Sequence, residues 1–272
     1  TTHFRYDELG HLTAWIDPAG NVHRQRSDFL DRVVWVDDPD RGEMTFEYDA
    51  GDNQVSFTDA RGKTIRRAFD GYNRLTEFWD EDDRAGTLVK NRYDTAGNCP
   101  LDKCTNVVGM LAVTEYPLDS GRKGVDRHGF DLRGKAIYFG RVLDDYLFEI
   151  QSEYDNLGRV KKNRYPDGRE VTFIQDGASR LIQAPGYVEG VQYDDRGLLA
   201  GMDLANGVTI ARGYDERLNL ISLDAVGSNR SPVLSYTYKR DRVGNIREII
   251  DGRADDGSPS GDARYTYDAL YR

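Results

Sequence analysis

The chain has 272 residues, of which 38% are hydrophobic, 31% charged and 11% aromatic, and its net charge is −10. An acidic surface repels phosphate backbones, which disfavours nucleic acid as a partner. No stretch approaches the 18 or so apolar residues of a membrane-spanning helix. The 17 Tyr, 10 Phe and 3 Trp argue against disorder and suit a large sheet with at least one face in water.

The phrase Tyr-Asp-x-x-Gly recurs along the whole sequence. Clear copies are Tyr6-Asp7 to Gly10, Tyr93-Asp94 to Gly97, Tyr154-Asp155 to Gly158 and Tyr193-Asp194 to Gly197. Looser copies begin at Ser27-Asp28, Tyr48-Asp49, Phe69-Asp70, Phe130-Asp131, Gln175-Asp176, Tyr214-Asp215, Arg240-Asp241 and Tyr267-Asp268. Successive aspartates lie 21, 21, 21, 24, 37, 24, 21, 18, 21, 26 and 27 residues apart. A period of this length indicates a repeat architecture, so we expect one array of twelve copies over residues 1–272.

The first repeat predicts two strands joined by a turn. Leu12, Ala14 and Ile16 alternate with their neighbours, which is the periodicity of a strand. Asp17-Pro18-Ala19-Gly20 is a turn sequence, and a second strand follows over residues 21–26. Repeated along the chain, this unit predicts an all-β meander of roughly two dozen short antiparallel strands. A sheet of that width curls or closes, so we expect a spiralling or barrel-like wall.

The motif residues are predicted to be scaffolding. The Tyr ends a strand and its hydroxyl bonds a partner, the Asp caps its turn, and the Gly supplies a positive φ. The predicted structural residues are Tyr6, Asp7, Gly10, Tyr48, Asp49, Tyr93, Asp94, Gly97, Tyr154, Asp155, Gly158, Tyr193, Asp194, Gly197, Tyr214, Asp215, Tyr267 and Asp268.

The period breaks at about residues 98–128, which hold both cysteines, Cys99 and Cys104. The long gap has room for one extra hairpin, with residues 111–116 as a strand and residues 119–121 as a turn; the alternative is a plug or protruding loop. Two cysteines are too few for a structural zinc site, and we expect two free thiols rather than a small disulfide loop. Residues 251–262, rich in Gly, Asp and Ser, predict a flexible surface loop.

Candidate chemical groups are sparse. His11 and His23 flank a turn and could form a weak metal pair, but solvent-facing strand positions are the favoured interpretation. Residues 80–83 are the densest acidic cluster; Arg84 occupies the third ligand position of a calcium loop, which favours a solvated acidic loop. The sequence has no nucleophile elbow, P-loop, dinucleotide fingerprint or H-E-x-x-H motif. We expect no catalytic residue, metal or cofactor.

The repeats resemble the Rhs, or YD-repeat, family. Residues 153–160 (EYDNLGRV) and 4–12 (FRYDELGHL) carry the resemblance. Residues 164–171, 241–246 and 265–272 resemble, more narrowly, the B component of bacterial toxin complexes and related virulence proteins. The resemblance implies a β-sheet strip that spirals into a hollow shell around a C-terminal toxin domain; teneurins carry a similar shell.

The function implied by this resemblance is structural. We expect a secreted or cell-surface scaffold that is not an enzyme and that encloses a toxin or other cargo domain. Because the sequence starts and stops inside motifs, we expect a fragment, with the rest of the polypeptide, its cargo and other toxin-complex subunits as partners. One alternative is a carbohydrate- or partner-binding surface, which depends on how Trp15, Trp35 and Trp79 are exposed. The other is an enzyme such as a glycosidase, which needs two carboxylates in a cleft.

Overall fold

The computed structural model describes residues 1–100, 102–253 and 261–268. These residues form antiparallel β-strands with a single short α-helix and one 3₁₀ turn, so the prediction of an all-β meander is confirmed. The chain divides into two compact units, residues 1–152 with 165–168 and residues 153–164 with 169–272. The prediction of a single array over 1–272 stays a prediction.

The first unit is a meander in which each strand pairs with its neighbours in the chain. Its strands are β1 His3–Tyr6, β2 Leu12–Ile16, β3 Val22–Ser27, β4 Val33–Asp38, β5 Gly42–Tyr48, β6 Gln54–Thr58, β7 Thr64–Phe69, β8 Leu75–Asp80, β9 Val89–Tyr93, β10 Leu111–Pro117, β11 Lys123–Phe130, β12 Ala136–Leu143 and β13 Tyr146–Tyr154. Helix α1 is Arg84–Thr87, and the 3₁₀ turn is Asp119–Gly121.

The second unit is also built from short antiparallel strands. Its strands are β14 Val160–Arg164, β15 Glu170–Thr172, β16 Ile174–Gln175, β17 Leu181–Gln183, β18 Val188–Tyr193, β19 Leu199–Leu204, β20 Thr209–Tyr214, β21 Leu220–Val226, β22 Pro232–Arg240, β23 Ile246–Asp251 and β24 Ala263–Arg264. β14 pairs with β15, β16 pairs with β17, and β18 to β24 pair in chain order. Most of the surface loop predicted at 251–262, residues 254–260, lies outside the described residues.

The sheet has little core because most of its residues have no second layer packed over them. Among the described residues, no large side chain is fully buried. The accessible surface is 17447 Å², whereas a globular monomer of 30.9 kDa exposes about 12,000 Å². The two clusters of buried apolar residues in the described chain both involve the segment that follows Tyr93, one around Cys99, Cys104 and Tyr138 and the other around Ala112 and its neighbours.

The prediction of an extra hairpin in that segment is wrong. The predicted strand and turn exist as β10 and the 3₁₀ turn. However, β10 and β11 are the two strands that every repeat contributes, so they are not additional. The extra residues lie inside the motif turn: Tyr93 pairs with Leu111 as Tyr6 pairs with Leu12, and the Asp94 amide donates to Met110 O (3.3 Å). The insertion is therefore an enlarged turn that folds back over one face of the sheet.

The expectation of two free thiols is wrong. Cys99 and Cys104 form a disulfide, with their Cα atoms 6.0 Å apart. The backbone between them turns back on itself because the amides of Lys103 and Cys104 both donate to Pro100 O at 3.0 Å. This local turn brings the two side chains within bonding distance.

Glycine at the fourth position of a motif turn relieves backbone strain, and Gly158 provides a test. Its φ is +76°, where an L-residue costs roughly 1–2 kcal/mol. We expect Gly158→Ala to lower the free energy of unfolding by about that amount in chemical denaturation. Leu218 adopts φ +66° at the equivalent position, so Leu218→Gly should stabilise by about 0.5–1 kcal/mol, the strain relieved less the entropy of glycine.

The matched control is Gly177→Ala. Gly177 lies in another motif turn, has no positive φ, and a Cβ there meets open space. We expect this change to leave stability equal or slightly higher. Equal losses for Gly158→Ala and Gly177→Ala would contradict the assignment of strain to the fourth turn position.

Candidate functional site: the motif turns along one sheet edge

Most motif aspartates organise their own turns, as Asp7 shows. Its Oδ1 accepts hydrogen bonds from the amides of Leu9 (3.0 Å) and His11 (2.8 Å). Its own amide donates to His11 O (3.0 Å), and the Gly10 amide donates to Asp7 O (3.1 Å). The result is a five-residue loop with a β-bulge, and the strand register shifts at Arg5/Tyr6. One carboxylate thus satisfies two amides that the tight loop leaves without strand partners.

Ten motif turns repeat this arrangement. In each, Oδ1 of the aspartate accepts the amides two and four residues later, at 2.8–3.0 Å. The residue three after the aspartate always has positive φ, including where it is not glycine; the non-glycine cases are Asp31, Asp52, Asn73, Ser179 and Leu218. The looser copies therefore keep the geometry of the clear ones.

The motif tyrosine bridges neighbouring hairpins where their strands separate. Backbone pairing between β4 and β5 ends at Trp35 and Thr45, short of the motif turns. This leaves Val33 O without a partner from β5, and the Tyr48 hydroxyl donates to it at 2.9 Å. The same arrangement recurs between β19 and β20, where pairing ends at Gly201 and Ala211 and Tyr214 donates to Leu199 O at 3.0 Å.

The bridge depends on a donor at this position rather than on tyrosine itself. Its acceptor is the carbonyl five residues after the preceding motif aspartate in every case. The bridges are Tyr48 to Val33, Tyr93 to Leu75, Gln175 to Val160, Tyr193 to Leu181, Tyr214 to Leu199, Arg240 to Leu220 and Tyr267 to Ile246. An amide and a guanidinium thus replace the hydroxyl in two copies.

An arginine four residues after the aspartate joins successive turns. Arg32 Nε donates to Asp28 Oδ2 (2.8 Å), and its Nη1 reaches the next turn at Asp49 O (3.0 Å) and Asp52 Oδ1 (2.8 Å). Its guanidinium carbon lies 5.0 Å from the centre of the Tyr48 ring. One planar cation therefore contacts two turns and the bridging tyrosine.

Other copies repeat this link. Arg74 bonds Asp70 and both carboxylate oxygens of Asp94 and lies over the Tyr93 ring. In the second unit, Arg159 bonds Asp155 and Asp176 O. This linking position is absent from the predicted site residues. Its signal was the recurrence of Arg, Asn or His one residue after the motif glycine.

The structure places the predicted motif residues along these turns, with exceptions at three copies. Tyr6, Tyr48, Tyr93, Tyr154, Tyr193 and Tyr214 end strands, as predicted. Tyr6 is 61% exposed. Asp94 adopts φ +67° itself and accepts the amide of Gly109, because the enlarged turn follows it, and Gly97 lies in that insertion with φ +56°. The turn after Asp268 lies outside the described residues. The absence of catalytic residues stays a prediction.

The histidines do not form a metal pair. His11 Nδ1 lies 3.0 Å from Asp7 Oδ2, whereas His23 Nδ1 lies 3.2 Å from Asp38 Oδ2 and its ring stacks on Trp15 at 4.5 Å. Both are half-buried, so the expectation of solvent-facing positions is wrong. No group of three or more metal-ligating side chains occurs in the described part of the chain. No helix within the described residues is long and apolar enough to span a membrane.

Two side chains of the acidic cluster at residues 80–83 bond to other groups of the same unit. Asp80 pairs with Lys63 Nζ at 2.9 Å, and Asp83 Oδ1 accepts the Gly86 amide at the start of α1. Residues 81–83 are exposed, as expected for a solvated acidic loop, while Asp80 and Asp83 also bond within the chain.

The tryptophans do not form a shared platform. Trp15 is stacked on His23. The guanidinium carbon of Arg26 lies 4.7 Å from the ring centre of Trp35, and that of Arg84 lies 4.4 Å from the ring centre of Trp79. All three are half-buried. Strand alternation and the pairing of Trp15 with His23 and of Arg26 with Trp35 place Trp15 and Trp35 on opposite faces. One ring face of each tryptophan is already covered by a neighbouring side chain.

The fold is that of the repeat shells in Tc toxins. No family model matches the sequence, and no curated protein matches it. The crystal structure of TcdB2-TccC3-Cdc42 is similar over 99% of this chain, with a TM-score of 0.74 and 19% identity. The Photorhabdus luminescens Tc holotoxin pore is similar over 99% of the chain, with a TM-score of 0.74 and 18% identity.

A third structure, TcdB2-TccC3 without its hypervariable C-terminal region, has the same TM-score of 0.74 at 18% identity over 99% of the chain. In all three, this chain spans 15% of the matched chain. The likeness shows a shared fold, and it confirms the resemblance to Rhs/YD-repeat proteins inferred from the motif.

The tyrosine bridge predicts a position-dependent loss of stability. Tyr48→Phe and Tyr214→Phe each remove a hydroxyl and leave a strand carbonyl without its donor, which should cost about 0.5–1.5 kcal/mol in chemical denaturation. Tyr6→Phe is the control because its ring is 61% exposed; it should change stability by less than about 0.5 kcal/mol. Equal effects at all three positions would contradict the bridging role.

We expect the stability of the fold to depend on pH because the turn aspartates ionise. The side-chain hydrogen bond from Arg32 lowers the pKa of Asp28, and the amide hydrogen bond from Arg180 lowers the pKa of Asp176. A folded pKa below the unfolded value of about 3.9 gives stabilisation that is complete above that pH and is lost as pH falls through the folded pKa. We therefore expect the denaturation midpoint to fall steeply below about pH 4.

The matched variant is Asp176→Asn, which keeps an acceptor oxygen but cannot ionise. It should be less stable than the wild type at pH 7, and the difference should shrink as pH approaches 3. Denaturation midpoints measured from pH 7 to pH 3 test this. A difference that stays constant over that range would contradict the electrostatic role of the carboxylate.

Proposed function

We propose that residues 1–272 form one section of the wall of a hollow β-sheet shell that encloses a toxin or other cargo domain. In this proposal the partners are the remainder of the same polypeptide, its cargo and other subunits of a secreted toxin complex. The observation that carries it is the match of 99% of this chain to the Tc toxin structures, of which it spans 15%.

The surface of the chain supports a wall rather than an independent globule. The accessible area exceeds the globular expectation of about 12,000 Å² by roughly half, at 17447 Å². One face of the first unit's sheet carries Val36, Met44, Phe46 and Phe57, which pair across β4, β5 and β6. The other face carries cross-strand ion pairs such as Arg66 with Glu47. A sheet with two different faces and, over β4 to β6, no second layer among the described residues suits a boundary between two environments.

The proposal includes no enzymatic role. The ionisable groups of the motif turns are committed to holding turns together, as the bonds of Asp28 and Arg32 illustrate. A carbohydrate-binding surface is less well supported, because the three tryptophans lie apart and each is covered on one ring face.

Thiol labelling of the two sheet faces tests the proposal. Met44 and Thr45 are successive residues of β5, so their side chains point to opposite faces. Met44→Cys and Thr45→Cys would be made separately in the complete natural polypeptide that contains residues 1–272. Each would be labelled with N-ethylmaleimide and with a polyethylene-glycol maleimide that is too bulky to enter a shell.

We expect the small reagent to label both positions and the bulky reagent to label one position only, until urea opens the protein. Residues 1–272 expressed alone are the control, and the bulky reagent should label both positions in them. Equal labelling of both positions by the bulky reagent in the complete polypeptide would contradict a closed wall.

A further inference from the structure

The enlarged turn after Tyr93 forms a cover on the sheet, defined here as residues 96–100 and 102–109. Three hydrogen bonds fasten it to the end of β11. Phe130 N donates to Thr105 O (2.9 Å), and Phe130 O accepts from Thr105 Oγ1 (2.8 Å) and from Asn106 Nδ2 (2.8 Å). Further along the cover, Lys103 Nζ pairs with Glu149 of β13.

The fit between the cover and the sheet is close. A Cβ on Gly129 would lie 1.9 Å from Lys103 O, so the cover rests directly on the backbone of β11. Beside this contact, Tyr138 is 3% exposed beneath the two cysteines, and its hydroxyl donates to Glu149 at 3.0 Å. Burial and the hydrogen bond to Glu149 raise the pKa of Tyr138 to about 12. The cover therefore keeps Tyr138 out of contact with bulk water, while the side chain of Glu149 stays partly exposed.

The disulfide closes the cover on itself. Cys99 is 5% exposed and Cys104 is 3% exposed, and both pack on Tyr138. A reductant therefore reaches neither sulfur while the cover is closed. The cross-link joins Cys99 to Cys104, the residue before the two that bond Phe130, and without it only the bonds to Pro100 O hold that turn closed.

We propose that the Cys99–Cys104 disulfide is a redox-controlled latch, which holds the cover over Tyr138 and Glu149 and releases it when a dithiol reduces the bond. This inference is independent of the proposed function. A thiolate of the reductant attacks one cysteine sulfur, the S–S bond breaks, and the other sulfur leaves as a thiolate and takes up a proton. The second thiol of the reductant then displaces the first cysteine. The protein gains two thiols, and the reductant ends as a disulfide.

The state of the latch depends on the redox compartment. Outside the cell the bond persists, whereas cytosolic dithiols reduce such bonds. Because both sulfurs are buried, reduction has to wait for a transient opening of the cover. The rate of reduction should therefore depend on the hydrogen bonds that fasten the cover, and not only on the strength of the reductant.

Hydrogen exchange with and without dithiothreitol tests the latch. After reduction, the amide of Phe130, which bonds the cover, should exchange at least several-fold faster. The Asp49 amide, which donates to Asn53 O in a motif turn of the same unit, should keep its rate. An unchanged Phe130 amide would overturn the proposal. Equal acceleration at Asp49 would also overturn it, because the disulfide would then hold the whole unit.

The rate at which dithiothreitol reduces the disulfide provides a second test. Thr105→Ala keeps the disulfide but removes one bond to Phe130 O, so it should speed dithiothreitol reduction about fivefold, as expected for one net hydrogen bond. Thr76→Ala is the matched control, since it removes a Thr bond to a strand carbonyl, Ala68 O, away from the cover. Acid quenching at timed intervals, alkylation of the free protein thiols and mass spectrometry of the protein follow both. Equal rates for the two variants would show that the cover does not gate reduction.

Discussion

The carboxylate at the start of each motif turn is the interaction on which the rest of the structure depends. By accepting two amides of its own loop, it fixes a five-residue connection with positive φ at the fourth position. This geometry is strong enough to hold Ser179 and Leu218 in the left-handed region, at a cost of roughly 1–2 kcal/mol for an L-residue. The same loop sets where strand pairing ends, and so it creates the free carbonyl that the next repeat must satisfy.

Stability in this sheet therefore comes from edges and cross-strand pairs more than from a core. Small residues such as Ala14, Val113 and Ala225 are the typical buried apolar groups of the described chain. Tyrosine bridges, arginine links and paired carboxylates take the place of a second layer. Each is individually modest, since partly exposed ion pairs contribute about 0–1 kcal/mol, but each recurs in several copies of the repeat. Such additive, nearest-neighbour stability is characteristic of repeat proteins.

The sequence predicts the structural features that all repeats share, but it does not predict the features that occur in one repeat only. The period, the strand pairs, the capping Asp and the strand-ending Tyr follow from residue types with strong local preferences. The enlarged turn does not, because Tyr93 to Gly97 keeps the motif while the loop closes on Met110 instead. The disulfide was missed because it depends on a backbone turn at Pro100. The arginine link was missed because its partners belong to the next repeat, about 20 residues away.

The bridging position explains how this fold persists at low sequence identity. The acceptor is always a backbone carbonyl, which no substitution removes, so any side chain that delivers a donor to the same point can replace tyrosine. Gln175 and Arg240 do so with different lengths and charges. The turn tolerates Asp, Asn, Ser or Leu in place of glycine for a related reason, because the carboxylate fixes the loop. The constraint thus lies in geometry more than in residue identity, which agrees with a TM-score of 0.74 at 18–19% identity.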